Sequence, residues 1–241
     1  RTGLMVIWGP PKCGKSFFAF FVSMMIALGW TFRNRVVQKG PVVYCAFEGA
    51  DGMKKRSEAF RRKYPDKLDE IQNAPFFLIS VRADLVKDHF RMIADIRAQI
   101  GGVLPVAICL DTLNRSLVGS ESNDEDMGDY IKSADAIGQA FNCLVGVVHH
   151  CGIDGTRPRG HTSLTGAVDA QVAVTRDQTS NIIVEIEWMK DGDSEGQKIY
   201  SQLETLEVGY DRNGKVKTSC VLIEAQEPLD DGVAGPLVVL G

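Results

Sequence analysis

The chain has 241 residues, of which 44% are hydrophobic and 24% charged, with a formal net charge of -4. That balance describes a globular protein long enough to bury a full core and sets aside disordered and collagen-like classes. It also excludes a globally basic nucleic-acid binder, so any contact with DNA has to be local.

GLMVIW, Gly3 to Trp8, predicts a strand, and GPPKCGKS, Gly9 to Ser16, follows it directly. The second stretch fits G-x-x-x-x-G-K-[ST], the phosphate loop of nucleotide-binding proteins. Gly9 and Gly14 let the backbone curl, and Pro10, Pro11, Lys12 and Cys13 complete the loop. Lys15 then reaches the terminal phosphates as a point charge, Ser16 holds Mg²⁺ through its hydroxyl, and Phe17 continues into a helix. That helix is predicted over Lys15 to Leu28. Its N-terminus offers unpaired N–H groups and a positive dipole end to phosphate. The apolar run FFAFFVSMMIAL within it is too short to cross a bilayer and predicts a buried helix, with no membrane involvement.

PVVYCAFE predicts a strand ending at Glu48, and DGMKKRSEAFRRKY a polar helix whose basic residues (Lys54, Lys55, Arg56, Arg61, Arg62, Lys63) read as a solvated face. PFFLIS predicts a short strand. Leu85, Phe90, Ile93, Ile96 and Ile100 fall at helical spacing and predict one apolar face. PVAICLD is a buried strand closed by Asp111, placed to complete the Mg²⁺ shell; a helix cap or turn is the plainer role for an aspartate there. Met127, Ile131, Ala134, Ile137 and Phe141 mark another helix, and CLVGVVHH the strand after it. His149 and His150 sit side by side at its end, so their side chains point to opposite faces and at most one meets the nucleotide. The alternative at each is a strand-end histidine satisfied by a backbone carbonyl.

Strands alternating with helices to about residue 150 predict an α/β fold, a mostly parallel twisted sheet flanked by helices, with its ligand beyond the carboxyl ends of the strands. Past residue 170, QVAVTR, NIIVEIEWMK, YSQLETLEVGYD and TSCVLIEA predict antiparallel strands or hairpins with DRNG as a turn. One domain is expected over residues 1–225, and an arm or disordered tail over 226–241. The chain starts at Arg1 rather than Met, which predicts a domain cut from a longer protein. Six cysteines without a C-x-x-C pair suit reduced thiols in a cytoplasmic protein.

The phosphate loop, Glu48, DTLNRS after Leu110, VVHH and the later GHTSLTGAVDA together resemble the RecA-like ATPase core of plasmid RepA and DnaB-type replicative helicases. They are most similar to the RepA-like AAA-type ATPase domains. The resemblance implies a RecA-like P-loop NTPase fold with ATP and Mg²⁺ as cofactors. It implies Lys15 and Ser16 on phosphate and metal, Glu48 as the catalytic glutamate, Asp111 as the acidic metal partner, and the histidine pair as a γ-phosphate sensor. WMKDGDSEG looks like the hairpin motif that such ATPases direct toward a neighbouring subunit, with Lys190 at a basic position and Arg176 and Arg159 as further candidates. A homo-oligomer, commonly a hexamer, is implied, with single-stranded DNA and other replication proteins as partners. Arg157, Arg159 and His161 in CGIDGTRPRGHTS are the candidate DNA contacts. Against them, Glu121, Asp124, Glu125 and Asp126 in GSESNDED would repel phosphate. The sequence thus leaves a helicase motor and an ATP-dependent oligomerisation or recruitment switch open, with a small-molecule kinase disfavoured by Glu48.

Overall fold

The computed structural model describes residues 2–48, 50–152 and 154–227. Residues 228–241, nearly all of the expected C-terminal arm, lie outside the described residues. In chain order the elements are β1 (Gly3–Gly9), α1 (Lys15–Leu28), β2 (Val42–Ala46), α2 (Ala50–Lys63), a single 3-10 turn at Pro65–Lys67, α3 (Leu68–Gln72), β3 (Phe76–Ile79), α4 (Leu85–Gln99) and β4 (Ala107–Asp111). There follow α5 (Leu113–Ser116), α6 (Asp124–Phe141), β5 (Leu144–His150), α7 (Ser163–Ala167), β6 (Ala170–Arg176), β7 (Ile182–Met189), β8 (Lys198–Tyr210) and β9 (Val216–Glu224).

The described strands form one sheet in the order β3-β2-β4-β5-β1-β6-β7-β8-β9. From β3 to β6 neighbouring strands run parallel, and from β6 onward they run antiparallel. The central strands read as continuous apolar runs because helices or hairpin cover both of their faces. Alternation sends Leu4, Val6, Trp8, Val43, Cys45, Ile108, Leu110, Val145 and Val147 into one core with α4 and α6. Ile7, Tyr44, Ala46, Cys109 and Val148 enter the other, with α1, α2 and the β8–β9 hairpin.

Two expectations need correction. QVAVTR reads as one of the antiparallel strands, yet β6 pairs parallel with β1, Met5 opposite Ala170 to Trp8 opposite Ala173, and only its other edge is antiparallel. Its carboxyl end therefore joins those of the parallel strands. On α4, Leu85, Ile93, Ile96 and Ile100 are buried as expected, but Phe90 is 73% exposed and Met92 takes the inward place. The helical period itself explains this: Met92, seven residues after Leu85 and four before Ile96, falls on their face, whereas Phe90, two residues from Met92, points away.

Ile137 on α6 is fully buried and Phe90 is not, so Ile137→Ala should cost about 2–5 kcal/mol and Phe90→Ala no more than about 0.5 kcal/mol. Urea midpoints of the two variants check this; equal losses would place Phe90 in the core.

Candidate nucleotide site

The carboxyl ends of β1, β2, β4, β5 and β6 open onto a crevice of about 380 Å³ lined by Lys12, Gly14, Lys15, Ser16, Glu48 and His150, with Phe17, Arg56, Thr112, Arg176 and Leu203 around them. Its floor is the turn between β1 and α1. Gly9 is required there: a Cβ on it would lie 2.0 Å from the Val174 carbonyl oxygen. Gly14 caps α1 in a left-handed conformation at φ 109, and Lys12 shares that region at φ 62. Alternating backbone signs of this kind make a concave nest of N–H groups at a helix N-terminus, which suits phosphate oxygens.

Lys15 is only 5% exposed. Its ammonium donates to the carbonyls of Gly9 at 2.8 Å and Pro10 at 2.6 Å, and lies 3.8 Å from Cys13 Sγ. Burial pushes the ammonium below its ordinary range, and Cys13, Cys151 and Asp111 oppose that. Burial likewise raises the Cys13 thiol, so Cys13 fills the loop as a neutral group.

Asp111 is 5% exposed and joins three segments. Ser16 donates to its Oδ1 at 3.0 Å and Tyr44 to its Oδ2 at 2.6 Å. Tyr44, Cys109 and Asp111 share a sheet face with α1 because Tyr44 pairs with Cys109 and Ala46 with Asp111, and Asp111 is two residues on from Cys109. A carboxylate and a hydroxyl held 3.0 Å apart at the foot of a phosphate loop supply the hard oxygen ligands that Mg²⁺ takes alongside waters and phosphate.

Glu48 lies in the turn after β2, half exposed, with Oε1 3.5 Å from both the Thr112 hydroxyl and Arg115 Nε. The two histidines part as strand alternation requires. His149 is fully buried, and its Nε2–H donates to the Arg159 carbonyl at 2.8 Å, the plain role foreseen for a strand-end histidine. His150 lines the crevice, and burial together with the Lys15 charge lowers its imidazole, keeping it neutral at physiological pH.

Other sequence candidates fall elsewhere. Lys190 follows the antiparallel β7, so it sits at the opposite end of the sheet; its backbone N–H donates to the Asp169 carbonyl and its ammonium lies 3.6 Å from Asp169 Oδ1. The chain does not bring Lys190 to its own crevice. Arg176 does reach it, because β6 is parallel to β1. The expected DNA loop and the acidic loop are not separate surfaces: Arg159 Nε lies 2.9 Å from Glu121 Oε2, and His161 Nδ1 3.0 Å from Asp124 Oδ1. Arg157 donates to the Gly160 carbonyl at 3.2 Å and lies near enough to Asp154 to help hold that carboxyl below its ordinary range. The acidic residues have a local cause as well. Asn123 caps α6 by accepting from Asp126 N–H, and Asp124, Glu125 and Asp126 occupy the first turn, where the helix dipole favours them.

Sequence reading missed Arg56, which it placed on a solvated face. Its guanidinium lies over the Phe17 ring at 4.5 Å and lines the crevice. The signal was present: Met53, Arg56 and Phe60 fall at i, i+3 and i+7, the face on which Met53 and Phe60 are buried.

Burial raises the Asp111 carboxyl, while Tyr44, Arg56 and Ser16 lower it less. A native carboxyl that binds its proton more tightly than the unfolded chain does costs stability when both are ionised, and acid removes that cost. Asp111→Asn should therefore raise the unfolding midpoint at about pH 8, the gain shrinking toward about pH 4. Calorimetric scans across that range check it, and a lower midpoint for the variant at the alkaline end contradicts it.

Comparison with known proteins agrees with this geometry. The family model described as an AAA domain matches residues 1–156. The ATPase domain of G40P superposes with a TM-score of 0.62 at 12% identity, covering 89% of this chain and 84% of that one. A KaiC-like protein from the archaeon Pyrococcus horikoshii gives 0.59 at 12% identity, covering 89% of each. A DnaB-like replicative helicase, solved for its interactions with primase, gives 0.63 at 13% identity over 83% of this chain and 54% of that one. The chain thus spans about half of that helicase. No curated protein matches it in sequence. With a phosphate loop opening α1, a buried aspartate closing β4, and a sheet that is parallel at its centre and antiparallel at one side, the chain belongs to the AAA domain family and has a RecA-like P-loop fold.

Proposed function

We propose that this AAA-type ATPase domain binds ATP with Mg²⁺ in the crevice and hydrolyses it. The observation that carries the reading is the convergence of Lys15, the Ser16–Asp111 pair, Glu48 and His150 at adjacent strand ends. Gly9 to Phe17 wrap the phosphates, Lys15 neutralises the terminal ones, and Ser16 with Asp111 holds the metal. Hydrolysis needs an in-line water more than covalent chemistry, and Glu48 at the crevice mouth orients that water. Neutral His150, with Nδ1 buried and unpartnered among the described residues, is placed to sense the γ-phosphate. Its strand neighbour then carries the signal outward, because the His150 carbonyl accepts from Arg159 N–H and His149 holds the Arg159 carbonyl.

Likeness to DnaB-type ATPase domains supports a proposed setting: a ring-shaped homo-oligomer, commonly a hexamer, in DNA replication, acting on single-stranded DNA through Arg157, Arg159 and His161. In such a ring Lys190, remote from its own crevice, is free to serve a neighbour's site, whereas Arg176 serves its own. One observation favours a second reading, an ATP-dependent switch that recruits partners without unwinding: Arg159 and His161 already face Glu121 and Asp124.

Lys15→Ala should abolish ATP turnover, and Glu48→Gln should lower it at least about a hundredfold while leaving ATP affinity nearly unchanged. Steady-state hydrolysis and equilibrium binding check both. Wild-type turnover in Lys15→Ala removes the loop from the mechanism, and equal loss of binding in Glu48→Gln makes Glu48 structural. In the same assay, salt-sensitive stimulation by single-stranded DNA supports the motor, and indifference to DNA the switch.

A further inference from the structure

The short helix α5 carries two consecutive polar residues that reach in different directions. Arg115 Nε lies 3.5 Å from Glu48 Oε1 at the crevice. Asn114 Nδ2 donates to Glu121 Oε1 at 3.0 Å. Glu121 is 7% exposed, and its other oxygen lies 2.9 Å from Arg159 Nε, an ion pair without hydrogen-bond geometry. Its backbone also holds the loop, since the Glu121 carbonyl accepts from His161 N–H at 2.8 Å, and a Cβ on Gly160 would come within 2.2 Å of that oxygen. Leu113, fully buried, and Ser116, bonded to the Thr112 carbonyl and to the Tyr130 hydroxyl, fix the remaining sides of α5. The helix therefore has little freedom to turn without moving Arg115 and Asn114 together.

Glu48 has few other constraints. It follows β2 rather than belonging to it, its side chain is 53% exposed, and its Oε1 approaches Thr112 and Arg115, both from the segment after β4. A carboxylate that must orient a water within a fraction of an ångström gains from a fixed neighbour, and a guanidinium offers a planar fork for that purpose. A buried carboxylate such as Glu121, in turn, keeps Asn114 as its side-chain donor and Arg159 as its counter-charge, because losing either leaves a poorly compensated charge.

From this juxtaposition we infer that Arg115 is a positioning residue for Glu48, and that the Asn114–Glu121 bond, braced by Arg159, holds α5 so that Arg115 points at it. The inference rests on the reading of Glu48 as the residue that orients water. It assigns Arg159 a bracing role inside the domain, beside any contact with nucleic acid.

The test is steady-state ATP hydrolysis by Arg115→Gln, Arg115→Lys, Asn114→Leu and the double variant Arg115→Gln/Asn114→Leu, with Glu48→Gln alongside. Arg115→Gln should lower kcat about ten- to a hundredfold with KM for ATP little changed, because water placement fails while nucleotide binding persists. Arg115→Lys should recover most of that loss, since an ammonium can still pair with Glu48. Asn114→Leu should also lower kcat, and the double variant should be no worse than Arg115→Gln, as residues acting in one chain are non-additive. Wild-type kcat in Arg115→Gln, together with lost turnover in Glu48→Gln, overturns the inference and leaves the reading of Glu48 standing. A raised KM at unchanged kcat makes Arg115 a nucleotide contact and also overturns it. Losses that multiply in the double variant separate Asn114 from Arg115 and remove the brace. Full turnover in Glu48→Gln overturns the reading and the inference with it. Should Asn114→Leu fail to fold, the Arg115→Gln and Arg115→Lys pair still decides the positioning role.

Discussion

A single buried carboxylate ties the sheet to the phosphate loop. Asp111, at the end of β4, accepts from Ser16 in the first turn of α1 and from Tyr44 in β2. These bonds exist only if β2 and β4 keep their register, because a shift of one residue would swing Tyr44 or Asp111 to the opposite face of the sheet. The contact also fixes where α1 begins, and so where the nest of loop N–H groups points. The site is then a consequence of the sheet: each strand end delivers one group, and β5, lying between β4 and β1, places His150 beside the loop.

Such a site is held at a cost to the fold. Lys15 and Asp111 are both almost fully buried, and burial moves each toward its neutral form. In the proposed reading Mg²⁺ and a phosphate chain would supply the missing counter-charges, and ligand binding and stability would be linked. The same logic runs outward through the loops. Glu121, buried against Arg159 and Asn114, converts what reads as a basic loop and an acidic loop into one paired unit. Charge on that surface is therefore set by pairing rather than by composition, and the basic residues of CGIDGTRPRGHTS are less available than their number implies.

Much of this was legible in the chain. The phosphate loop, its flanking strand and helix, the strand closed by Asp111 and the splayed histidines all follow from spacing and alternation, which are local. What was not legible depends on pairing between distant segments. QVAVTR carries no mark of direction, so its parallel edge against β1, and with it the approach of Arg176 to the crevice, awaited the sheet order. Phe90 was misplaced from spacing alone, since Met92, seven residues after Leu85, is the residue that shares the face of Leu85 and Ile96. GSESNDED reads as a repulsive loop because residue types do not reveal that Asn123 is a cap and Glu121 a buried partner. Arg56 was an avoidable miss as well, since Met53 and Phe60 mark its inward face.

The central claim is that the Ser16–Asp111 pair holds a metal on which nucleotide binding leans. The most direct measurement is calorimetric ATP affinity with Mg²⁺ and with a chelator, in the wild type and in Ser16→Ala. The account predicts tighter binding with Mg²⁺ in the wild type and loss of that gain in the variant. Equal affinity with and without Mg²⁺, or a full Mg²⁺ gain in Ser16→Ala, would contradict it.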